Sequence, residues 1–126
     1  MNKIQKIYVD MCSECWDIQN LWKPSIGDYY YHLVDRKVYL LTDKKLKEKK
    51  FCRWLPVEKQ LYRIYFKHGA SNWRKFDHSS GKYFDYLVKV LGDHPSKEIC
   101  SLSLIMQECY FKRWFNNKWN ESHVLI

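Results

Sequence analysis

Three groups of residues in this sequence have types and spacings that chemistry would need. The first is Cys12-Ser13-Glu14-Cys15, two thiols at the separation used by zinc half-sites and dithiol redox pairs. Structural zinc takes four ligands, and no second CxxC and no HxxxH accompanies the pair; Cys52 with His68 or His78 would complete a set only at spacings foreign to the common fingers and ribbons. A redox pair belongs where a helix N-terminus lowers the thiol pKa, whereas these cysteines fall inside a helical pattern with Cys15 on its apolar stripe. Core thiols are the expectation, and a zinc-stabilised nucleic-acid-binding domain using Cys12, Cys15 and Cys52 is the alternative.

The second group is His68, Asp77 and His78, among five histidines that share no short metal spacing. Asp77 beside His78 invites a general base, and a small enzyme centred on these three residues is a further alternative. No nucleophile or oxyanion-type glycine turn accompanies them, and the chain has no P-loop, GxGxxG, GxSxG or HExxH. The expectation is therefore a protein without catalytic activity, metal or cofactor. The third group is the run from Lys67 through Trp73, Arg74, Lys75 and Phe76, which mixes cations, an amide and two rings. Single-stranded nucleic-acid sites use that mixture, with cations offsetting phosphate charge and rings stacking on bases. The competing reading is a short helix that buries Trp73 and Phe76, three apart, and solvates Arg74 and Lys75.

The elements that must position these groups follow from hydrophobic periodicity. Ile4, Ile7, Tyr8, Met11, Cys15, Ile18 and Leu21 step by three and four, which predicts one amphipathic helix ended by Pro24 and Gly27. Tyr29 to Leu33 and Val38 to Leu41 are β-rich runs joined by a short polar connection, hence a hairpin, and Phe51 to Leu55 fits a third strand. Pro56 suits the first turn of a helix carrying Val57, Leu61, Ile64 and Tyr65 up to His68-Gly69. A loop or short helix over Ala70 to Ser80 leads to a helix with Phe84, Leu87, Val88 and Leu91, closed by Gly92. Ser96 caps a last long helix striped by Ile99, Leu102, Ile105, Met106, Cys109, Tyr110 and Arg113 or Trp114. Beyond it, Trp114, Phe115 and Trp119 surround Asn116-Asn117, a tail suited to folding its indoles back over the core. The fold class expected is α+β over residues 1–126 as a single domain: an N-terminal helix, a small antiparallel sheet of two or three strands, and a helical C-terminal half.

Charge adds a location. Lysine and arginine number 22 against 14 acids, a formal +8, and the excess lies in the middle: residues 36–89 hold fifteen basic and five acidic residues, while the flanks are neutral or slightly acidic. An excess gathered in one segment predicts a basic surface for an acidic macromolecule, and the candidate contacts are Lys44, Lys45, Lys47, Lys49, Lys50, Arg53, Lys67, Trp73, Arg74, Lys75 and Lys82. No apolar run reaches the ~20 residues of a membrane span. The first ten residues lack the apolar core of a signal peptide, and five cysteines are an odd number without a disulfide framework; together these predict a cytoplasmic protein.

Several short stretches carry a resemblance. Leu21-Trp22-Lys23-Pro24 with Gly27-Asp28-Tyr29-Tyr30, then Trp54-Leu55-Pro56 with Gln60-Leu61, and a final helix running on to Tyr110, Trp114 and Trp119, resemble small uncharacterised phage and prophage proteins of Gram-positive bacteria. In that group a W-x-P-x-x-G-D-aromatic segment precedes a hairpin and W-L-P opens the next helix; here Lys97-Glu98-Ile99-Cys100 stands where the group has Glu-Gln-Leu-Trp. The resemblance implies a phage-type accessory protein in a bacterial host cell that acts by binding. Its expected partner is nucleic acid, or an acidic or nucleic-acid-binding host protein such as a component of host defence, and the aromatic surface of the hairpin suits a homodimer.

Overall fold

A computed structural model describes residues 1–43, 46–67 and 73–122, without the side chains of Trp73 and Arg74. The architecture is α+β: N-terminal helix, three-stranded antiparallel sheet, and a helical C-terminal half that ends in a β-hairpin. Among the described residues no helix is long and apolar enough to cross a membrane.

Helix α1, Lys3–Ser13, starts in a capping box: the Asn2 side chain accepts from the Gln5 N–H while the Gln5 side chain accepts from the Asn2 N–H. The expected single helix is in fact two. The chain leaves helical geometry at Cys15 (φ −105°, ψ 79°) and resumes as α2, Trp16–Gln19. Neither proline nor glycine causes the break; tertiary contacts do. Cys15 turns its thiol onto the Met106 sulfur at 3.3 Å, Ile18 enters the core, and Gln19 reaches strand β3.

Strands β1 (Tyr29–His32), β2 (Lys37–Leu40) and β3 (Cys52–Trp54) form an antiparallel sheet in the order β2-β1-β3. Alternation divides the tyrosines as pleating requires. Tyr30 pairs with Tyr39 and Trp54 on one face, while Tyr29 and Tyr31 share the other face with Leu40, Val38 and Arg53. Pro56 stands two residues before α3, Glu58–Lys67, rather than in its first turn, and Val57 precedes that helix instead of belonging to it.

Residues expected to be a loop or short helix contain α4, Trp73–Ser80, whose Phe76 is fully buried; residues 70–72 lie outside the description. A 3₁₀ turn leads into α5, Phe84–Leu91, and Gly92 ends it in the left-handed region at φ 73°, where a side chain would be strained. Ser96 caps α6, Lys97–Tyr110, as expected, its Oγ accepting from the Ile99 N–H. Ile99 to Gln107 are buried without interruption, so α6 is a central helix enclosed on all sides rather than one with a single apolar stripe. Glu108 ties its neighbours in, accepting from the Tyr65 hydroxyl at 2.8 Å and the Tyr83 hydroxyl at 3.1 Å.

The expected stripe of α6 stops short of Arg113 and Trp114. Phe111 closes the helix at φ 57°, and these residues belong to strand β4, Lys112–Phe115, paired with β5, Lys118–Glu121. Asn116 (φ 53°) and Asn117 (φ 59°) make the two-residue turn, a conformation asparagine tolerates. The indoles do fold back on the core: Trp114 meets Trp119 edge to face, and Trp119 Nε1 donates to the Met11 carbonyl at 2.9 Å. The Lys112–Asp17 ion pair at 2.6 Å fastens the hairpin to α2.

Candidate functional site

The two short motifs of the sequence meet in space. Gly27 takes φ 97°, donates its N–H to the Leu41 carbonyl, and so turns Asp28 inward. Asp28 Oδ2 accepts from Trp22 Nε1 and from the Ser25 N–H, both at 2.9 Å, and Oδ1 accepts from Gln60 Nε2 at 2.8 Å. Gln60 also caps α3, its Oε1 accepting from the Val57 N–H at 2.9 Å. Trp22 lies parallel to Trp54, planes 3° apart and ring centres 6.3 Å apart, an offset stack. Thus Trp22, Gly27, Asp28, Trp54 and Gln60 lock the turn at residues 22–28 against β3 and the start of α3.

That lock forms one wall of a cleft of about 640 Å³. On α3, Gln60, Arg63, Ile64 and Lys67 share a helix face and line it; Lys23 lines it from the turn, and Leu21 and Ile26, both exposed, give it an apolar lip. Neither Lys23, Arg63 nor Lys67 is within ion-pair distance of a described carboxylate, and among the described lining residues Asp28, already bonded to three donors, is the one acid. The cleft therefore presents positive charge in excess beside apolar surface. The rings in its wall do not offer stacking faces, since Trp22 and Trp54 are buried against each other.

The predicted contact residues are dispersed. Lys44 and Lys45 lie outside the described residues, as do the side chains of Trp73 and Arg74, whose backbones begin α4. Lys47, Lys49 and Lys50 are exposed around the 3₁₀ turn Lys49–Phe51, with Lys50 Nζ 5.0 Å from the Phe51 ring centre. Arg53 is partly buried and engaged: its guanidinium stacks over Trp16 at 4.7 Å and Nη1 donates to the Lys50 and Cys52 carbonyls. Lys75 and Lys82 are exposed on α4 and the following turn. Of the predicted residues that are described, Lys67 is among those lining the cleft and the others are not. Sequence reasoning passed over Lys23 and Arg63; the four-residue step from Arg63 to Lys67 was the available signal for a shared face.

The residues of the alternative chemistries, where described, stand apart from one another or are buried. Cys12 and Cys15 are buried; burial pushes both thiols up, Cys15 to about 12, and keeps them from the thiolate form a metal needs. Cys52 points its thiol toward the Lys47 and Glu48 carbonyls, and among the described residues no three His, Cys, Asp or Glu side chains converge as metal ligands. Asp77 and His78 are exposed at adjacent positions of α4, which diverge around a helix, and His68 lies outside the described residues. Comparison with known protein families, curated proteins and solved structures finds no match for this chain.

Proposed function

We propose that this is a non-enzymatic binding protein that engages the acidic surface of a protein partner through its basic middle segment, with the cleft between residues 21–28 and α3 as the seat. The observation that carries the reading is the lining of that cleft, where Lys23, Arg63 and Lys67 stand without a described carboxylate partner beside the exposed Leu21 and Ile26. Excess cations supply attraction and orientation, and an apolar lip supplies the desolvated contact that gives an interface its affinity. A protein partner suits this lining better than nucleic acid because the tryptophans of the wall are stacked on each other and leave no face for a base. The resemblance to phage proteins supports a host protein as the partner, with inhibition of host defence as the biological form.

A peptide library of alternating acidic and bulky apolar residues tests the reading, scored against random single- and double-stranded oligonucleotides. The wild-type chain enriches the acidic–apolar peptides at about 50 mM salt and loses them at about 500 mM, as screened charge contacts require. Arg63→Glu with Lys67→Glu lowers the affinity by about 10- to 100-fold while leaving melting unchanged. No enrichment at low salt, or enrichment indifferent to this charge reversal, overturns the proposal; preferential binding of oligonucleotides replaces the partner class.

A further inference from the structure

Helix α6 is enclosed, yet it carries polar side chains on the side that meets the C-terminal hairpin. Ser103 is only 7% exposed, and Gln107 is buried one turn further on. A serine inside a helix commonly gives its hydroxyl proton to the carbonyl four residues back, here that of Ile99. Ser103 does not: among the described residues no group lies within bonding distance of its Oγ. Leaving a buried hydroxyl unsatisfied is costly, so this one points to a partner other than the protein itself. Against Ser103 lies a cavity of about 10 Å³, lined also by Tyr83, Tyr86, Gln107, Arg113 and the Trp114 and Trp119 indoles. That is room for a single water-sized molecule.

The hydrogen atoms of the lining decide which molecule fits. Tyr83 gives its hydroxyl proton to Glu108 at 3.1 Å, and Tyr86 gives its own to the Trp114 carbonyl at 2.9 Å. Each phenol oxygen can then only accept. An anion would meet those two oxygens with the Glu108 carboxylate behind one of them. A cation would meet the Arg113 guanidinium, which lies 5.0 Å from the Tyr86 ring centre. What matches is a neutral molecule that both accepts and donates. We propose that the cavity is a binding site for one water molecule, held by Ser103 of α6 and by the hydroxyl oxygens of Tyr83 and Tyr86. The water accepts from Ser103 Oγ and donates to the two phenol oxygens, three bonds, the usual number for a buried water. It joins α6 to α5 and the turn before it, and Tyr86 carries the link on to β4 through the Trp114 carbonyl. Ser103 is thus polar because it anchors this water, at a position where a hydrophobic side chain would fill the site.

A high-resolution crystal structure of the full chain should show one ordered water within about 3.2 Å of Ser103 Oγ. Crystals soaked in bromide should give no anomalous signal at that position, since the site excludes anions. In solution, oxygen-17 relaxation dispersion counts long-lived waters, and Ser103→Val, whose methyl groups occupy the cavity, should lower the count by one. Ser103→Ala keeps a good helix former at the position and covers the case in which the valine variant fails to fold. It removes one of the three bonds, and water-to-protein cross-relaxation at residue 103 should fall several-fold while the circular dichroism spectrum stays unchanged. A dry cavity with Ser103 Oγ bonded to the Ile99 carbonyl overturns the proposal. So does a bromide peak in the cavity, a water count that is the same in wild type and a folded Ser103→Val, or cross-relaxation indifferent to Ser103→Ala.

Discussion

Asp28 is the residue on which the cleft wall depends, and replacing it tests that geometry. It accepts from Trp22 Nε1, the Ser25 N–H and Gln60 Nε2. In Asp28→Ala all three donors lose their acceptor. Ser25 is exposed and rehydrates, Gln60 is half-buried, and Trp22 is buried, so its indole N–H bears most of the cost. Stranding a buried donor costs about 1–3 kcal/mol and each bond to a charged acceptor contributes about 1.5–3, giving a loss of roughly 3–4 kcal/mol once rehydration is allowed for. For a domain of this size that lowers Tm by about 10–15 °C. Asp28→Asn is milder, roughly 2 kcal/mol: its carbonyl oxygen can still serve Trp22 and Ser25, but its amide then faces the Gln60 amide, donor against donor. Gln60 cannot flip without turning that donor onto the Val57 N–H. The pairing is repaired by Gln60→Glu, whose carboxylate accepts from both the introduced amide at position 28 and the Val57 N–H. Thermal and urea unfolding of the singles and the double should place the Asp28→Asn, Gln60→Glu pair within about 1 kcal/mol of wild type, above either single variant. An Asp28→Ala loss under about 1 kcal/mol, or a double variant no better than Asp28→Asn, refutes the network as drawn.

Gln19→Ala removes the amide that closes β3, leaving the Trp54 N–H and C=O without their side-chain partner; urea unfolding should show a loss of about 2–3 kcal/mol, and a change under about 0.5 would dismiss the strand-substitute role. Stability should also fall on the alkaline side. Burial raises the Cys15 thiol from 9.0 to about 12, and burial with Glu108 raises the Tyr65 and Tyr83 hydroxyls, so the folded state holds protons that the unfolded chain releases first. The contribution is whole below about pH 9 and is lost as pH climbs toward 12, Cys15 alone accounting for about 1 kcal/mol by pH 10. Urea midpoints at about pH 7 to 10.5 should decline, with a shallower slope in Cys15→Ala; a flat profile contradicts the assigned burial.

Where local pattern and tertiary structure agree, the fold was legible. The β1–β2 hairpin announces itself through β-rich runs around a polar connection, α5 through its spacing and Gly92, and α6 through Ser96. Where a pattern continued past its element, it misled. Leu21 extends the rhythm of α1, yet the chain bends at Cys15 because its sulfur, Ile18 and Gln19 each have a partner that a straight helix could not reach together. Trp114 extends the rhythm of α6, yet Asn116-Asn117 supplies a hairpin turn and the indole packs from a strand. Neither contact is local, so no window of the sequence contains it. The cleft was hidden for the same reason: Asp28 and Gln60 are 32 positions apart, and their hydrogen bond is what brings Lys23 to the side of Arg63 and Lys67.

The positive charge, read along the chain, indicated a segment; folded, it separates into surfaces of different character. Arg53 is spent on Trp16 and on backbone carbonyls, so it serves the sheet rather than an outside partner. Lys67 joins Lys23 and Arg63 at the cleft, where among the described lining residues cations outnumber acids three to one. Salt separates the two contributions at the cleft: attraction between its cations and an acidic partner is screened away, whereas an apolar contact at Leu21 and Ile26 is not. One salt titration that follows partner binding therefore distinguishes them. If binding were indifferent to salt or strengthened with it, the cations of the cleft would be bystanders to an apolar contact at Leu21 and Ile26.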